Sequence, residues 1–298
     1  MEPFAASGSS ASMPNKLQQG IRRHPLFFYF FIAYAFSWII SIPFILSEWG
    51  ILHGDFQLAF VLKGFGPFLA AYLITRVLEG KEGVKRLRQQ IRDWKKSWLW
   101  YILVLIGIPL LLILGILVQP RATTNFLGLK PLLLVSYFFT YIAVFFGGGP
   151  LGEEPGWRGF ALPRLQQKYG PLWGTLLLGM FWACWHLPDF LTSAQGGGPG
   201  TGMAAFLQNF PIFLLLVLAF AVLLTWIYNH NHGSIFMTLL AHASINTPQV
   251  VLVPLFPAVG TTSLNLAALI GFGIPALLII LLTRGRLGYP PETAPVQG

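Results

Sequence analysis

Apolar residues occur along this chain in long runs that short polar segments separate. A helix needs about 20 apolar residues to cross the roughly 30 Å of hydrocarbon in a bilayer, and several runs reach or approach that length. The short alternating segments of a barrel are absent, so the pattern favours helices. It predicts an all-α fold, a polytopic transmembrane helical bundle of about eight spans. These are residues 26–46, 56–78, 98–118, 132–150, 171–189, 209–229, 234–253 and 263–283.

Composition agrees with a membrane protein. Mean hydropathy is +0.65 and only 10% of the residues are charged, whereas about a quarter are charged in soluble proteins. Lipid is therefore an expected partner. The expected location is the cytoplasmic (plasma) membrane of a bacterial-type cell.

The basic residues follow the predicted topology. The chain has 19 Lys and Arg residues and a net charge of +9. With eight spans both termini lie on the same side, and only Arg121 and Lys130 fall on the other side, while Lys63 and Arg76 lie within the second run. Basic residues concentrate on the cytoplasmic side of membrane proteins. Both termini are thus predicted to be cytoplasmic, and the positive charge needs no nucleic acid partner.

The chain is predicted to form one folded unit with two tails. Residues 1–24, rich in Ala and Ser at their start, predict a disordered cytoplasmic tail. Residues 25–286 predict a transmembrane domain whose motif core covers 130–250, and 287–298 predict a C-terminal tail. Cys184 is the only cysteine, which excludes an intrachain disulfide and a thiolate metal cage.

The end of the fourth span carries two adjacent acids followed by an arginine. On a helix, Glu154 and Arg158 stand one turn apart and can pair, while Glu153 points about 100° away. An unpaired carboxylate in a low-dielectric pocket is a better base for water. The alternative is an ion-paired helix start at the membrane interface, with Pro155 in its first turn.

Two later spans add histidines and an amide. His186 ends an aromatic stretch, and Pro188 breaks the helix behind it, which could leave the imidazole facing a cavity. His242 and Asn246 are four residues apart and share a helical face. The plainer interpretations are that His186 is a packing residue and that His242 and Asn246 form an interhelical hydrogen bond. Polar groups in a membrane interior are costly, so three such segments together predict a functional site.

These segments resemble the CPBP (CAAX protease and bacteriocin-processing, also called Abi) intramembrane proteases, which include the type II CAAX prenyl endopeptidases. The resemblance covers about residues 130 to 250. The family's motifs are two glutamates followed by arginine, an aromatic residue four before histidine, and histidine four before asparagine. Here they read Glu153-Glu154 with Arg158, Trp182 with His186, and His242 with Asn246, where Trp182 replaces the usual phenylalanine.

The resemblance implies roles for these residues. Glu153 would activate the hydrolytic water with help from His186, while His242 and Asn246 would stabilise the oxyanion. Glu154 and Arg158 would support the site. The implied activity is an intramembrane endopeptidase that hydrolyses a membrane-associated peptide, such as a prenylated C-terminus or a bacteriocin-like precursor.

A catalytic zinc is a further candidate. Glu153, His186 and His242 would be an acceptable ligand set with one position open for water. The usual His-Glu-x-x-His helix of zinc proteases is absent, so a metal-free glutamate mechanism stays open.

Two other classes of protein could use the same residues. A proton-coupled transporter could employ Glu153, His186 and His242 as a relay, although its usual internal repeats are not evident. A non-catalytic immunity or scaffolding protein could keep the fold alone, but it has no need to hold costly polar groups in lipid.

Overall fold

The structure, a computed structural model, describes residues 16–290, and all the regular elements in that range are helical. This confirms the predicted all-α fold class. Two π-helical turns, Leu103–Gly107 and Trp157–Ala161, join α5 to α6 and α8 to α9, and 3₁₀ turns cover Leu187–Leu191, Ser193–Gln195 and Val253–Leu255. The α-helices are α1 (Lys16–Arg23), α2 (Pro25–Glu48), α3 (Gln57–Lys63), α4 (Gly66–Ile91), α5 (Trp98–Ile102), α6 (Ile108–Leu117), α7 (Leu132–Phe146), α8 (Pro150–Gly156), α9 (Leu162–Tyr169), α10 (Pro171–Trp185), α11 (Gly202–His230), α12 (Ile235–Val251) and α13 (Thr261–Leu282).

Within residues 16–290, six helical segments are long and apolar enough to cross a membrane. A seventh counts if the bent pair Leu132–Phe146 and Pro150–Tyr169, with 42° between its halves, forms one broken span. The predicted number of eight is not confirmed, because the run at 171–189 folds into a helix of only 15 residues, α10. Pro188 stops that helix, since a residue before proline disfavours helical backbone angles. The protein is thus an integral membrane protein, and the cytoplasmic placement of its termini stays a prediction.

Parts of both predicted tails pack against the bundle. Residues 16–23 form α1 where the sequence predicts a disordered tail, because Ile21 is buried and Arg22 Nη2 donates to the carbonyl oxygen of Val77 (3.0 Å). At the other end Leu287 is buried, and its carbonyl oxygen accepts from Asn229 Nδ2 (2.9 Å). Residues 1–15 and 291–298 lie outside the described residues.

Helix α8, which carries the predicted acidic motif, packs closely against the start of α4. A Cβ on Gly152 would lie 2.4 Å from the carbonyl oxygen of Gly64, and one on Gly156 would lie 2.5 Å from the Pro67 side chain. Backbones approach this closely only where a side chain is missing. The two glycines therefore fix the distance between α4 and the helix that carries Glu153.

Substituting Gly152 by alanine should destabilise the protein, because the new methyl group must push α8 away from Gly64. We expect a loss of about 1–3 kcal/mol, typical of an overpacked contact, as a lower melting temperature in mild detergent. Gly273→Ala is the matched control, because a Cβ there meets only Leu269 Cδ1 at an ordinary 3.5 Å. Equal melting of the Gly152→Ala variant and the wild type would contradict this packing.

Helix α7 holds the part of α12 that carries the other motif. The Tyr141 hydroxyl in α7 donates to the carbonyl oxygen of Leu240 (2.8 Å) and lies 3.2 Å from Ser244 Oγ. Ser244 stands between His242 and Asn246 in the sequence. The contact therefore places their helix alongside α7 and the turn that leads into α8.

Candidate active site

Glu154 is the centre of a buried cluster that joins α8 to α12. Its Oε1 accepts from Arg158 Nη1 (2.8 Å) and lies 2.9 Å from His242 Nδ1. Glu154 and Arg158 are fully buried, and His242 is only 4% exposed. A carboxylate oxygen accepts hydrogen bonds, so His242 donates from Nδ1. The predicted Glu154–Arg158 pair is confirmed, and the histidine of the seventh predicted span reaches the same carboxylate.

Glu153 has different surroundings, which the sequence does not predict. Its Oε2 accepts from the indole Nε1 atoms of Trp157 (3.2 Å) and Trp182 (2.7 Å). Glu153 is therefore held in place and is not the fully unpaired carboxylate of the sequence prediction. Both indoles bind the same oxygen, and Oε1 has no hydrogen bond to a side chain or backbone group among residues 16–290. One oxygen of a buried carboxylate thus stays available.

Trp182 connects the second motif to the other two. Its ring packs edge-on against His242, with 5.3 Å between ring centroids, and Arg158 Cζ lies 4.4 Å from its centroid. An arginine over a tryptophan face is a favourable cation–π contact. The indole thereby contacts Glu153, Arg158 and His242, so segments from α8, α10 and α12 meet at one place, as the sequence predicts.

Trp182→Phe tests the indole hydrogen bond to Glu153. Phenylalanine keeps a ring against His242 but loses the donor, and hydrogen bonds to charged groups contribute about 1.5–3 kcal/mol. We expect a loss of stability in that range, measured by thermal unfolding in detergent. Trp173→Phe in the same helix is the control, because Trp173 is 67% exposed. If both variants melt alike, the indole does not hold Glu153.

His186 belongs to a neighbouring group rather than to the carboxylate cluster. Its Nδ1 lies 2.7 Å from Asp189 Oδ2, and the other oxygen of Asp189 accepts from Lys63 Nζ. The link to the cluster runs through Trp185, whose ring packs against His186 (4.7 Å) and Trp157 (5.9 Å between centroids). The structure therefore places His186 next to the cluster, without a direct bond from it to Glu153 or His242 among the described residues.

Lys63 and Asp189 are polar residues of the site region that the sequence analysis does not assign to it. Asp189 lies three residues after His186, a spacing that could have suggested the pair. The contact between Lys63 and Asp189 spans 126 positions and has no such signal. Asn246 is half-buried, and a Cβ on Gly149 would lie 3.7 Å from its Nδ2, which places the amide beside the start of α8.

The predicted zinc ligands do not form a metal site. Among residues 16–290 no group of three or more His, Cys, Asp or Glu side chains could hold a metal ion. Within the predicted set, His186 and His242 direct their Nδ1 atoms to the carboxylates of Asp189 and Glu154. Each ring thereby keeps Nε2 free, as zinc-bound histidines do, but the three side chains are not grouped as a ligand set among the described residues. Zinc binding by the protein stays a prediction, which metal analysis of the purified protein tests.

The central part of the chain matches a known protein family. Residues 134–248 match the type II CAAX prenyl endopeptidase Rce1-like family. The CAAX prenyl protease 2 of Methanococcus maripaludis is 32% identical over 101 residues, which are 34% of this chain and 36% of the relative. The chain thus aligns with little more than a third of that relative's length. The matched segment contains Glu153, Glu154, Arg158, Trp182, His186, His242 and Asn246. Through this segment the chain is similar to the type II CAAX prenyl endopeptidase Rce1-like family.

Proposed function

We propose that the protein is an intramembrane endopeptidase in which Glu153 activates water to hydrolyse a peptide bond. The observation that carries this proposal is the unequal pairing of two adjacent buried carboxylates. Glu154 Oε1 is bound by Arg158 and His242, whereas Glu153 Oε2 is bound by two neutral indoles. The second oxygen of each has no partner among residues 16–290, but that of Glu154 is sealed from solvent, whereas that of Glu153 is not. Environments that separate two carboxylates in this way assign them different chemical roles.

The proposed reaction uses the free Oε1 of Glu153 as the general base. This oxygen takes a proton from water, and the hydroxide attacks the carbonyl carbon of the peptide bond. The tetrahedral intermediate carries a negative oxygen. When the C–N bond breaks, Glu153 returns the proton to the leaving amine, so the products are a free amine and a carboxylic acid, which then releases its proton to water. His186 assists Glu153 during the proton transfer.

His242 and Asn246 are proposed to stabilise the negative oxygen. An imidazole that donates to Glu154 from Nδ1 can donate to an oxyanion from Nε2 only when both nitrogens carry protons. The proposed role of His242 therefore uses the ring in that doubly protonated form. Asn246 adds an amide donor from the same helix, one turn later.

The proposed substrate is an apolar or lipid-modified peptide in the membrane. A cavity of about 640 Å³ lies between α2 and α10, lined by aromatic residues that include Phe30, Tyr34, Trp38 and Phe181. A second cavity, of about 570 Å³, is also lined by Trp38, together with Leu187 and Phe190. Ligand sites are mostly apolar and concave. The relative's name, CAAX prenyl protease 2, makes a prenylated C-terminus the first substrate class to test.

The test is cleavage of a farnesylated peptide with a C-terminal CAAX sequence by the purified protein in lipid vesicles. The same peptide without the lipid is measured in parallel, and products are identified by mass spectrometry. An identical preparation of Glu153→Gln detects contaminating proteases. We expect cleavage by the wild type alone. If the protein cleaves neither this peptide nor any of a set of apolar membrane peptides, the proposed activity is contradicted.

A further inference from the structure

A second polar group lies beside the carboxylate cluster and includes Lys63, Asp189 and His186. Lys63 ends α3, Asp189 lies in the 3₁₀ turn Leu187–Leu191, and His186 follows α10. Asp189 accepts from Lys63 at Oδ1 and pairs with His186 Nδ1 at Oδ2 (2.7 Å). Lys63 is 6% exposed and Asp189 is 5% exposed. The three side chains thus form one continuous chain of charges and hydrogen bonds.

The position of Lys63 is fixed from several sides. Its Nζ lies 4.6 Å from the ring centroid of Phe60 and 5.2 Å from that of Trp185. Its backbone carbonyl oxygen accepts from Ser37 Oγ (2.6 Å). Lysine is almost never buried without a partner, and its long side chain normally reaches toward water. Here the ammonium group instead stays inside and compensates the buried carboxylate of Asp189.

This pairing determines which nitrogen of His186 is free. An ionised Asp189 can only accept, so His186 donates from Nδ1, and the lone pair of the neutral ring is then on Nε2. Lys63 favours the ionised carboxylate by placing a positive charge on its other oxygen. Without Asp189 either nitrogen could carry the proton, and the ring could rotate about its bond to Cβ.

The same group is tied to the helix of Glu153. Gly64, the residue after Lys63, has its carbonyl oxygen 2.4 Å from the position of a Cβ on Gly152. On the other side, the Trp185 ring packs against Trp157, whose indole binds Glu153. The backbone next to Lys63 and the ring next to His186 therefore both contact the segment that carries Glu153.

We propose that Lys63 and Asp189 are positioning residues of this site. They hold the His186 ring in one orientation, with the Nε2 lone pair available to assist Glu153. Their effect on cleavage rests on the proposed function. Their effect on which nitrogen of His186 carries the proton does not rest on the proposed function, because it follows from the hydrogen bond alone.

The test uses a single and a double variant, because loss of either residue alone leaves the other buried charge without its partner. Asp189→Asn replaces the carboxylate by an amide of similar shape, and Lys63→Met/Asp189→Asn removes both charges. We expect kcat to fall by about 10- to 100-fold in each, as when a residue that orients a catalytic histidine is lost. The KM should stay within about threefold, since neither residue contacts the substrate. Lys85→Met/Glu82→Gln, an exposed pair 3.8 Å apart, is the matched control.

A spectroscopic measurement on the same proteins is independent of proteolysis. Nitrogen NMR with ¹⁵N-labelled histidine, at about pH 8 where an ordinary imidazole is neutral, reports which nitrogen carries the proton. The His186 signals are assigned with His186→Gln. We expect a proton on Nδ1 in the wild type and a mixture of the two forms in the double variant. Unchanged His186 signals in the double variant would overturn the proposal, as would an unchanged kcat in an active enzyme. Changed signals in a protein that cleaves no peptide would support the positioning role and contradict the proposed function.

Discussion

Replacing Glu153 by glutamine is expected to lower kcat of peptide cleavage by about 100-fold or more, because a neutral amide cannot take a proton from water. Glutamine keeps the shape of the side chain, and its carbonyl oxygen can still accept from Trp157 and Trp182. The KM and the melting temperature should therefore change little. The measurement is a set of initial cleavage rates on the farnesylated peptide over a range of concentrations.

The control for Glu153→Gln is Glu82→Gln. The Glu82 side chain is 73% exposed, and its ion pair with Lys85 is 3.8 Å long. The control should cleave at the wild-type rate. Equal rates for Glu153→Gln and the wild type would remove Glu153 from the role of general base. A large loss of folded protein in this variant would instead assign Glu153 a structural role.

Replacing Arg158 by methionine is expected to destabilise the protein by about 3–5 kcal/mol, the usual cost of removing one partner of a buried ion pair. Arg158 is fully buried, and its guanidinium is bonded to Glu154 and stacked on Trp182. Methionine fills much of the volume but leaves the carboxylate of Glu154 with His242 alone. The measurement is thermal unfolding in mild detergent.

Two further variants separate the charge effect from packing. Glu154→Gln/Arg158→Met removes both charges and should recover much of the lost stability, because neutral replacements of a buried pair are often tolerated. Arg86→Met breaks an exposed pair with Glu79 (2.7 Å) and should cost at most about 1 kcal/mol. If Arg158→Met melts like Arg86→Met, the buried pair does not stabilise the fold.

The parts of the site that follow from local spacing could be predicted from the sequence. Glu154 and Arg158 stand four residues apart, and their pairing follows from the geometry of one helical turn. The position of His242 near these acids is predicted because polar groups inside a membrane are costly, so those of separate spans are expected to share one site. The structure brings it to the same carboxylate oxygen that Arg158 binds.

Contacts between distant segments could not be predicted from spacing. Trp182 appeared in the sequence only as a substitute for phenylalanine, yet its indole binds Glu153 from 29 residues away. In the sequence Lys63 only interrupts an apolar run, whereas in the structure its ammonium group pairs with the buried carboxylate of Asp189. Helix ends are also hard to predict, because hydropathy alone extends the fifth run across Pro188, whereas α10 ends at Trp185. In each case the deciding contact depends on how helices pack.

The central claim is that side chains from separate helices act as one catalytic unit. Its most direct test is a double-mutant cycle of cleavage rates with Glu154→Gln, His242→Gln and the double variant. Residues that work as a unit give strongly non-additive losses. We predict that each single substitution lowers kcat/KM by about tenfold or more, and that the double variant is scarcely slower than the slower single variant. A double variant whose loss equals the product of the two single losses would contradict the claim.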